Sequence, residues 1–327
     1  MDLVEGVKLD RISNALRKAI NHKVVLPIKA EDYFSLPLQK RYKALSKWRN
    51  DSRRNFSENT VFVDEDGISL IWYLPNLLEN GTKNRVFDST GLIDRKLVLA
   101  IHEHTNKDAP NNKNWRGADN LFDTRLKRRV IRPGVANFSF GWRGCGKGWT
   151  DDVVKSSLSL KEPASEVVST QLWLERITDL QVIISLILSI IHPVLFDAAK
   201  EVLDYCVKPS SHDGETFEWA SRWNSVFTAL TVISDRITPE HVDSRGSPRY
   251  FDALVSLGTA TSPKIAFKEL DSTFSYKAGT IIFFAGRGWT HEVGDWGSGA
   301  RVCYASYIRR EMIEGHGETV DSWGLRL

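Results

Sequence analysis

The chain has little cysteine: Cys145, Cys206 and Cys303 are its only three in 327 residues. They form no CxxC pair and no zinc-ligand spacing. That excludes a disulfide-stapled secreted module and leaves free thiols in a reducing compartment as the simplest reading. A membrane-spanning run is also lacking. The most apolar stretch, Leu180–Phe196, is interrupted by Gln181, His192 and Pro193 and is too short to cross a bilayer. It reads instead as a buried helix ended by its proline, and no membrane is expected as a partner. There is no large excess of one charge: the net charge is +3 and the pI about 8.6. Such a balance is compatible with nucleic acid but does not demand it. Internal repeats and low-complexity linkers are absent, so no clean domain cut is visible. The first residues, MDLVEGVKLDRISNALRKAI, read as an amphipathic charged helix rather than a signal peptide.

What is present is ample for a core: the hydrophobic fraction is 42%. We expect residues 1–120 to form a helical and hairpin region packed on a core of residues 121–327. Helical spacing runs over Asp2–Ile20 and Leu36–Asn55, and a helix is expected to start near Pro75–Glu79. VFVDEDGISLIWY (Val61–Tyr73) reads as a hairpin turning at Asp66-Gly67. Lys96–Ile101 is a short strand candidate, and Gly134–Trp142 is the expected first strand of the core. Pro163–Cys206 places Leu172, Ile177, Leu180, Ile184, Leu188 and Ile191 on one broad apolar face, so its helices should brace the core from outside. Val207–Thr216 and the tail after Met312 should be irregular.

From Phe227 the pattern changes. Phe227–Arg236, Phe251–Leu257, Lys264–Leu270, Phe274–Lys277, Thr280–Phe284, Trp289–Val293 and Arg301–Ile308 are short, β-branched or aromatic runs punctuated by Gly, Pro, Asp and Ser. This meander predicts an α+β protein whose centre is a double-stranded β-helix, a jelly-roll barrel of the cupin type with flanking helices. His241-Val242-Asp243, His291 and Arg301 lie at the ends of these strands. Residues i and i+2 of a strand point the same way, so His241 and Asp243 can grip one ion together, with His291 brought in from another strand. Two histidines and one carboxylate are the ligand set of non-haem Fe(II) oxygenases and leave positions open for a co-substrate and O₂. Arg301, ten positions after His291, can form a bidentate pair with the far carboxylate of 2-oxoglutarate.

The runs TALTVISDRITPEHVDSRG, YFDALVSLG, AGTIIFFAGRGWTHEV and RVCYASYIRR resemble the Tet/JBP family of DNA-base oxygenases, its fungal branch in particular. Asp66–Leu78 (DGISLIWYLPNLL) is similar to an N-terminal block of that branch, so the resemblance spans roughly Val61 to Arg310. It implies iron on His241, Asp243 and His291, 2-oxoglutarate on Arg301, and O₂ as the oxidant. It further implies oxidation of 5-methylcytosine in DNA to 5-hydroxymethylcytosine and beyond, the base being flipped out of the duplex, by a nuclear and monomeric enzyme. A same-fold oxygenase acting on 6-methyladenine or alkylated bases is the alternative, as is a catalytically lapsed DNA-binding protein of a mobile element. Where the family often carries Asn before its R-x-T step, this chain has Asp235.

Two basic stretches are candidate grips on the DNA backbone: Lys40, Arg41, Lys47, Arg53 and Arg54 in one, and Arg125, Lys127, Arg128 and Arg129 in the other. Solvated surface and, for the second, nuclear localisation are the competing readings. Gly141-x-x-x-x-Gly146-Lys147 imitates a phosphate loop, but Gly148 stands where Ser or Thr must hold Mg²⁺. His102-Glu103-His104 has no third ligand at suitable spacing, His192 beside Pro193 reads as a capping or buried histidine, and Cys303 as packing.

Overall fold

The computed structural model describes residues 9–49, 54–99, 115–123, 131–142, 154–208, 214–243 and 246–327. Among the described residues, thirteen strands fall into two sheets. The larger has eight strands in the order β1-β3-β4-β11-β8-β13-β6-β5. They are β1 (Lys23–Val25), β3 (Thr60–Val63), β4 (Ser69–Leu74), β5 (Gly134–Ser139), β6 (Ala229–Ser234), β8 (Asp252–Gly258), β11 (Ile281–Phe284) and β13 (Arg301–Tyr307). The smaller has five, in the order β2-β10-β9-β12-β7: β2 (Arg54–Phe56), β7 (Thr238–His241), β9 (Lys264–Phe267), β10 (Ser272–Ser275) and β12 (His291–Val293). Pairing is antiparallel except at β1–β3 and β2–β10. The architecture is mixed α+β with large antiparallel sheets.

Each short apolar run after Phe227 carries a strand, because alternate residues have two different cores to enter. Val232, Ala253, Val255, Ile281, Phe283, Val302 and Tyr304 face the helices 167–176, 178–191 and 193–206. Ile265, Phe267, Phe274, Ile282, Phe284 and Cys303 fill the space between the sheets. Leu180, Ile184, Leu188 and Ile191 are buried as the helical spacing predicts, and the helical stretch breaks at Pro193, which opens the next helix. His192 caps that helix: its Nδ1 accepts from Leu195 N–H at 3.3 Å, and the ring is fully buried. No helix among the described residues is long and apolar enough to cross a membrane.

The expected hairpin forms as β3–β4. Gly67 turns it at φ +82°, and Asp64 receives Asp66 N–H and Ile68 N–H on Oδ1. Its strands extend the larger sheet beside β11, so no sheet boundary falls near residue 120. The expected helix Leu36–Asn55 is broken into helices at Leu38–Ala44 and Ser46–Arg49, and Arg54–Phe56 is drawn into β2 beside β10. In the expected strand Lys96–Ile101, of which residues 100 and 101 lie outside the described residues, Val98 bridges Val135 after a 3₁₀ turn at Thr90–Lys96. Helix Gly214–Ser221 begins inside the expected loop. The tail is irregular as expected beyond helix Arg310–Gly315, yet it is fastened: Leu325 N–H donates to Ile191 O at 2.7 Å and Leu327 N–H to Gly67 O at 2.8 Å.

Candidate metal centre

β7 and β12 are neighbours in the smaller sheet, and their register sets His241 directly opposite His291. The ring centroids lie 4.2 Å apart. Asp243 follows just beyond the end of β7, where its N–H donates to Gly286 O at 2.9 Å, so the HxD pair straddles a strand end rather than lying within one strand. Its Oδ1 is 3.6 Å from His241 Nε2 and its Oδ2 3.9 Å from His291 Nε2. One donor atom from each of the three residues lies within 4.8 Å of the others, a cluster of the size one ion needs.

The protonation states suit a cation. His241 Nδ1 is 2.8 Å from Pro239 O and His291 Nδ1 is 3.0 Å from Trp289 O. A carbonyl only accepts, so both Nδ1 atoms carry the hydrogen, and the Nε2 atom of each ring is the one turned towards Asp243. Burial, and next the neighbouring His241, lower His291 to about 4, so it is neutral at physiological pH. Burial alone would raise Asp243, but His241, His291 and Arg116 outweigh it and hold the carboxyl below the usual carboxylate range. A second carboxyl stands close by. Asp252 accepts Gly286 N–H at 3.0 Å, and burial followed by the charge of Asp243 pushes it well above the usual range. Gly286 threads between the two: a Cβ there would meet Asp243 Oδ2 at 2.4 Å and Asp252 Oδ2 at 2.5 Å.

Beside His241, Asp243 and His291 lie two buried arginines. Arg301, 2% exposed at the start of β13, donates Nη1–H to Arg236 O at 3.0 Å, and its Nε–H meets no partner among the described residues. Arg236 is 4% exposed, and its Nε and Nη1 are likewise unpartnered. Burial first, then Arg116 and Arg301, lower it to about 10, so Arg236 stays charged at physiological pH. Buried guanidinium donors left without acceptors fit a dianionic ligand whose carboxylates would satisfy them. Arg236 escaped the sequence reading because an arginine at a strand end shows no pattern; its burial and unpaired donors identify it.

The space between the sheets is packed on one side and open on the other. Phe284, on the inner face of β11, contacts His291 at 4.9 Å between centroids. On the same inner face of the larger sheet, Thr231, Ile233, Leu254, Ala305 and Tyr307 are only half-buried and Asn137 is exposed, whereas their neighbours on the outer face are buried. Thr231 Oγ donates to Asn137 Oδ1 at 2.6 Å, a polar pair in an otherwise apolar trough. Trp115, from a 3₁₀ turn at Trp115–Gly117, covers His241 at 4.8 Å. Cys303 lies behind Arg301 with its sulfur 3.4 Å from Tyr276 Oη, and burial pushes the thiol up, as a packing residue requires.

The basic candidates fare unevenly. Lys40 is exposed. Arg41 is half-buried and donates to the carbonyls of Phe34 (2.7 Å), Leu36 (2.9 Å) and Gly288 (3.1 Å), which commits it to internal structure. Arg54 stacks over Trp48 at 4.8 Å. Arg53, Arg125, Lys127, Arg128, Arg129, the Lys47 side chain, the His102–His104 motif and most of the glycine-rich loop after Trp142 lie outside the described residues.

The Tet_JBP family model, the oxygenase domain of the 2OGFeDO superfamily, matches residues 137–310, slightly more than half of the 327. No curated protein sequence matches the chain. Among solved structures, NgTET1 in complex with 5mC DNA aligns with a TM-score of 0.52 at 13% identity, covering 91% of this chain and 90% of that one. A collagen prolyl hydroxylase of Paramecium Bursaria Chlorella virus-1 with 2OG has a TM-score of 0.21 and 18% identity, over 25% of this chain and 57% of that one. A 2OG-Fe(II) oxygenase-family oxidoreductase from Burkholderia pseudomallei has a TM-score of 0.21 and 15% identity, over 30% of this chain and 56% of that one. The last two overlap too little to bear on the fold.

Proposed function

Because the chain belongs to the Tet/JBP family of oxygenases, which use Fe(II), 2-oxoglutarate and O₂, we propose that it oxidises 5-methylcytosine in DNA to 5-hydroxymethylcytosine, with further oxidation of the same carbon open to it. The observation that carries this reading is the convergence of His241, Asp243 and His291 within 4.8 Å beside two buried arginines, each with guanidinium N–H groups that meet no partner among the described residues. We read the two facing sheets as a double-stranded β-helix with these residues at its open end.

In this assignment His241 Nε2, His291 Nε2 and one oxygen of Asp243 hold the iron, and Arg301 and Arg236 hold the carboxylates of 2-oxoglutarate. When bound, the pair supplies the oxidation: one atom of O₂ enters succinate as CO₂ leaves, and the other enters the substrate C–H bond. The protein's share is placement. Carbonyls of Pro239 and Trp289 fix the imidazoles, Asp252 holds Gly286 against the back of Asp243, and Phe284 and Trp115 keep water from both sides of the histidines. A methyl group on a stacked base cannot reach a site this deep, so the base is flipped. The trough along Thr231, Ala305 and Tyr307 offers it an apolar floor, with Asn137 and Thr231 as hydrogen-bonding partners. NgTET1, whose fold aligns with this chain, is described as a complex with 5mC DNA, which supports DNA as the partner. Lys40, Arg54 and the Arg125–Arg129 cluster are the backbone contacts in this reading.

The test is to incubate the full chain aerobically with Fe(II), 2-oxoglutarate and duplexes carrying 5-methylcytosine, 6-methyladenine or an alkylated base, and to digest them for nucleoside mass spectrometry. 5-Hydroxymethylcytosine should appear, with succinate formed alongside it. Oxidation of 6-methyladenine with 5-methylcytosine untouched would transfer the assignment to another base.

A further inference from the structure

Trp115–Asp123 precedes the part of the chain that matches the oxygenase family, yet it is built into the metal centre. Its end is laid alongside Asp235-Arg236-Ile237: Asp123 N–H donates to Asp235 O at 2.8 Å, Ile237 N–H donates to Leu121 O at 2.8 Å, and Phe122 bridges Arg236 in antiparallel register. This short ladder fixes the turn at Trp115-Arg116 over the site. The Trp115 ring lies 4.8 Å from the His241 ring, with the Arg236 guanidinium 5.0 Å and the Arg116 guanidinium 4.5 Å from its centroid. Arg116 Nη2 reaches Asp243 Oδ1 at 3.3 Å.

We infer that Arg116 is a positioning residue for the metal, claiming one oxygen of Asp243 so that the carboxylate offers the ion only the other. The inference rests on the iron site proposed above. Both carboxylate oxygens face the imidazoles, Oδ1 at 3.6 Å from His241 Nε2 and Oδ2 at 3.9 Å from His291 Nε2. The placement of the carboxylate therefore does not by itself select one. A two-histidine, one-carboxylate site works because three protein ligands leave room for the co-substrate and O₂. A carboxylate bound through both oxygens would take up some of that room. A guanidinium on Oδ1 prevents this, and Trp115 keeps it there by stacking while shielding His241 on the same side. The pair does little for stability: the side chains are 25% and 42% exposed, and ion pairs so open to water contribute little. Its value lies in ligand geometry, as with other hydrogen bonds to metal-binding carboxylates.

The experiment compares wild type, Arg116→Gln, Arg116→Lys and His241→Ala as full chains. Fe(II) affinity is measured anaerobically by competition with a chromogenic chelator, and the visible band formed on adding 2-oxoglutarate is recorded at saturating Fe(II). Arg116→Gln should weaken Fe(II) binding roughly 10-fold or more, within the range known for such supporting groups, and shift the band. Arg116→Lys, which keeps the charge but not the planar fork, should fall between. The urea midpoint of both Arg116 variants should stay at that of wild type. Wild-type affinity and an unshifted band in Arg116→Gln would overturn the inference. So would tighter Fe(II) binding, which would make Arg116 a cation competing for Asp243. His241→Ala separates the two levels: wild-type Fe(II) binding in that variant would strike the iron site itself.

Discussion

Asp235 and Arg301 are latched by a reciprocal pair of hydrogen bonds: Asp235 N–H donates to Arg301 O at 2.8 Å, and Arg301 N–H donates back to Asp235 Oδ1 at 2.8 Å. Asp235 sits at φ +50°, a left-handed conformation that Asp and Asn tolerate better than most residues. The position where the family often has Asn thus needs a short side chain with an acceptor oxygen, and either residue supplies it. Asp235→Asn should keep wild-type dependence on 2-oxoglutarate. Asp235→Ala loses both the acceptor and the backbone preference and should raise the KM for 2-oxoglutarate several-fold. Equal KM values for the two variants would show that the latch does not set Arg301.

Arg301 is buried with an Nε–H that meets no partner among the described residues, so replacing its planar fork leaves a bound carboxylate partly unsatisfied. Arg301→Lys should raise the KM for 2-oxoglutarate roughly 10-fold or more, the loss expected for one charge-assisted hydrogen bond. DNA affinity, measured by fluorescence anisotropy, should change far less. An unchanged dependence on 2-oxoglutarate would transfer the anchor to Arg236.

Arg41 is tied to three carbonyls and is poorly placed to grip phosphate, so its replacement should cost stability rather than DNA affinity. The Arg125–Arg129 cluster is a different matter. Neutralising two of Arg125, Lys127, Arg128 and Arg129 should reduce the log–log salt dependence of DNA binding by about 1 to 2, given ~0.9 per phosphate contact. Methylated and unmethylated duplexes should weaken alike, since phosphate contacts position without reading sequence. A salt slope equal to wild type would place this cluster off the DNA path.

Fully buried His192 titrates near 4 rather than its ordinary 6.5, burial being the main cause. Between those values the unfolded chain binds a proton that the folded chain does not, so stability falls as pH drops from about 6.5 towards 4. The full difference corresponds to roughly 3 kcal/mol. About 2 kcal/mol of it falls between pH 7.5 and 5.0, so urea unfolding at those two pH values should show that loss in wild type and a smaller one in His192→Gln. Identical losses would assign the acid sensitivity to other groups.

Much of this was legible in the sequence because the relevant signals are local. Short β-branched runs ending at Gly, Pro and Asp marked β6 and β8 to β13, and HxD with a later His marked the three residues that cluster at strand ends. Pro193 marked a helix boundary that the structure places one residue earlier. What was not legible depends on contacts across long stretches of chain. Leu36–Asn55 has helical spacing, yet Arg54–Phe56 pairs with β10, more than two hundred residues away in sequence, and the parallel pairing overrides the local preference. Trp115 and Arg116 follow a polar, Asn-rich stretch without periodicity. Only the backbone ladder to Asp235–Ile237 brings them over His241 and Asp243. Arg236 differs from the surface arginines only in its burial.

In the proposed site His241, Asp243 and His291 hold Fe(II) in a form that accepts 2-oxoglutarate. The direct measurement is the anaerobic visible spectrum of metal-free protein given Fe(II) and then 2-oxoglutarate, for wild type and for His241→Ala, Asp243→Ala and His291→Ala. Wild type should develop a weak charge-transfer band on the second addition. Each variant should lack it while unfolding at the urea concentration of wild type. No band in wild type, or a wild-type band in His241→Ala or Asp243→Ala, would contradict the account.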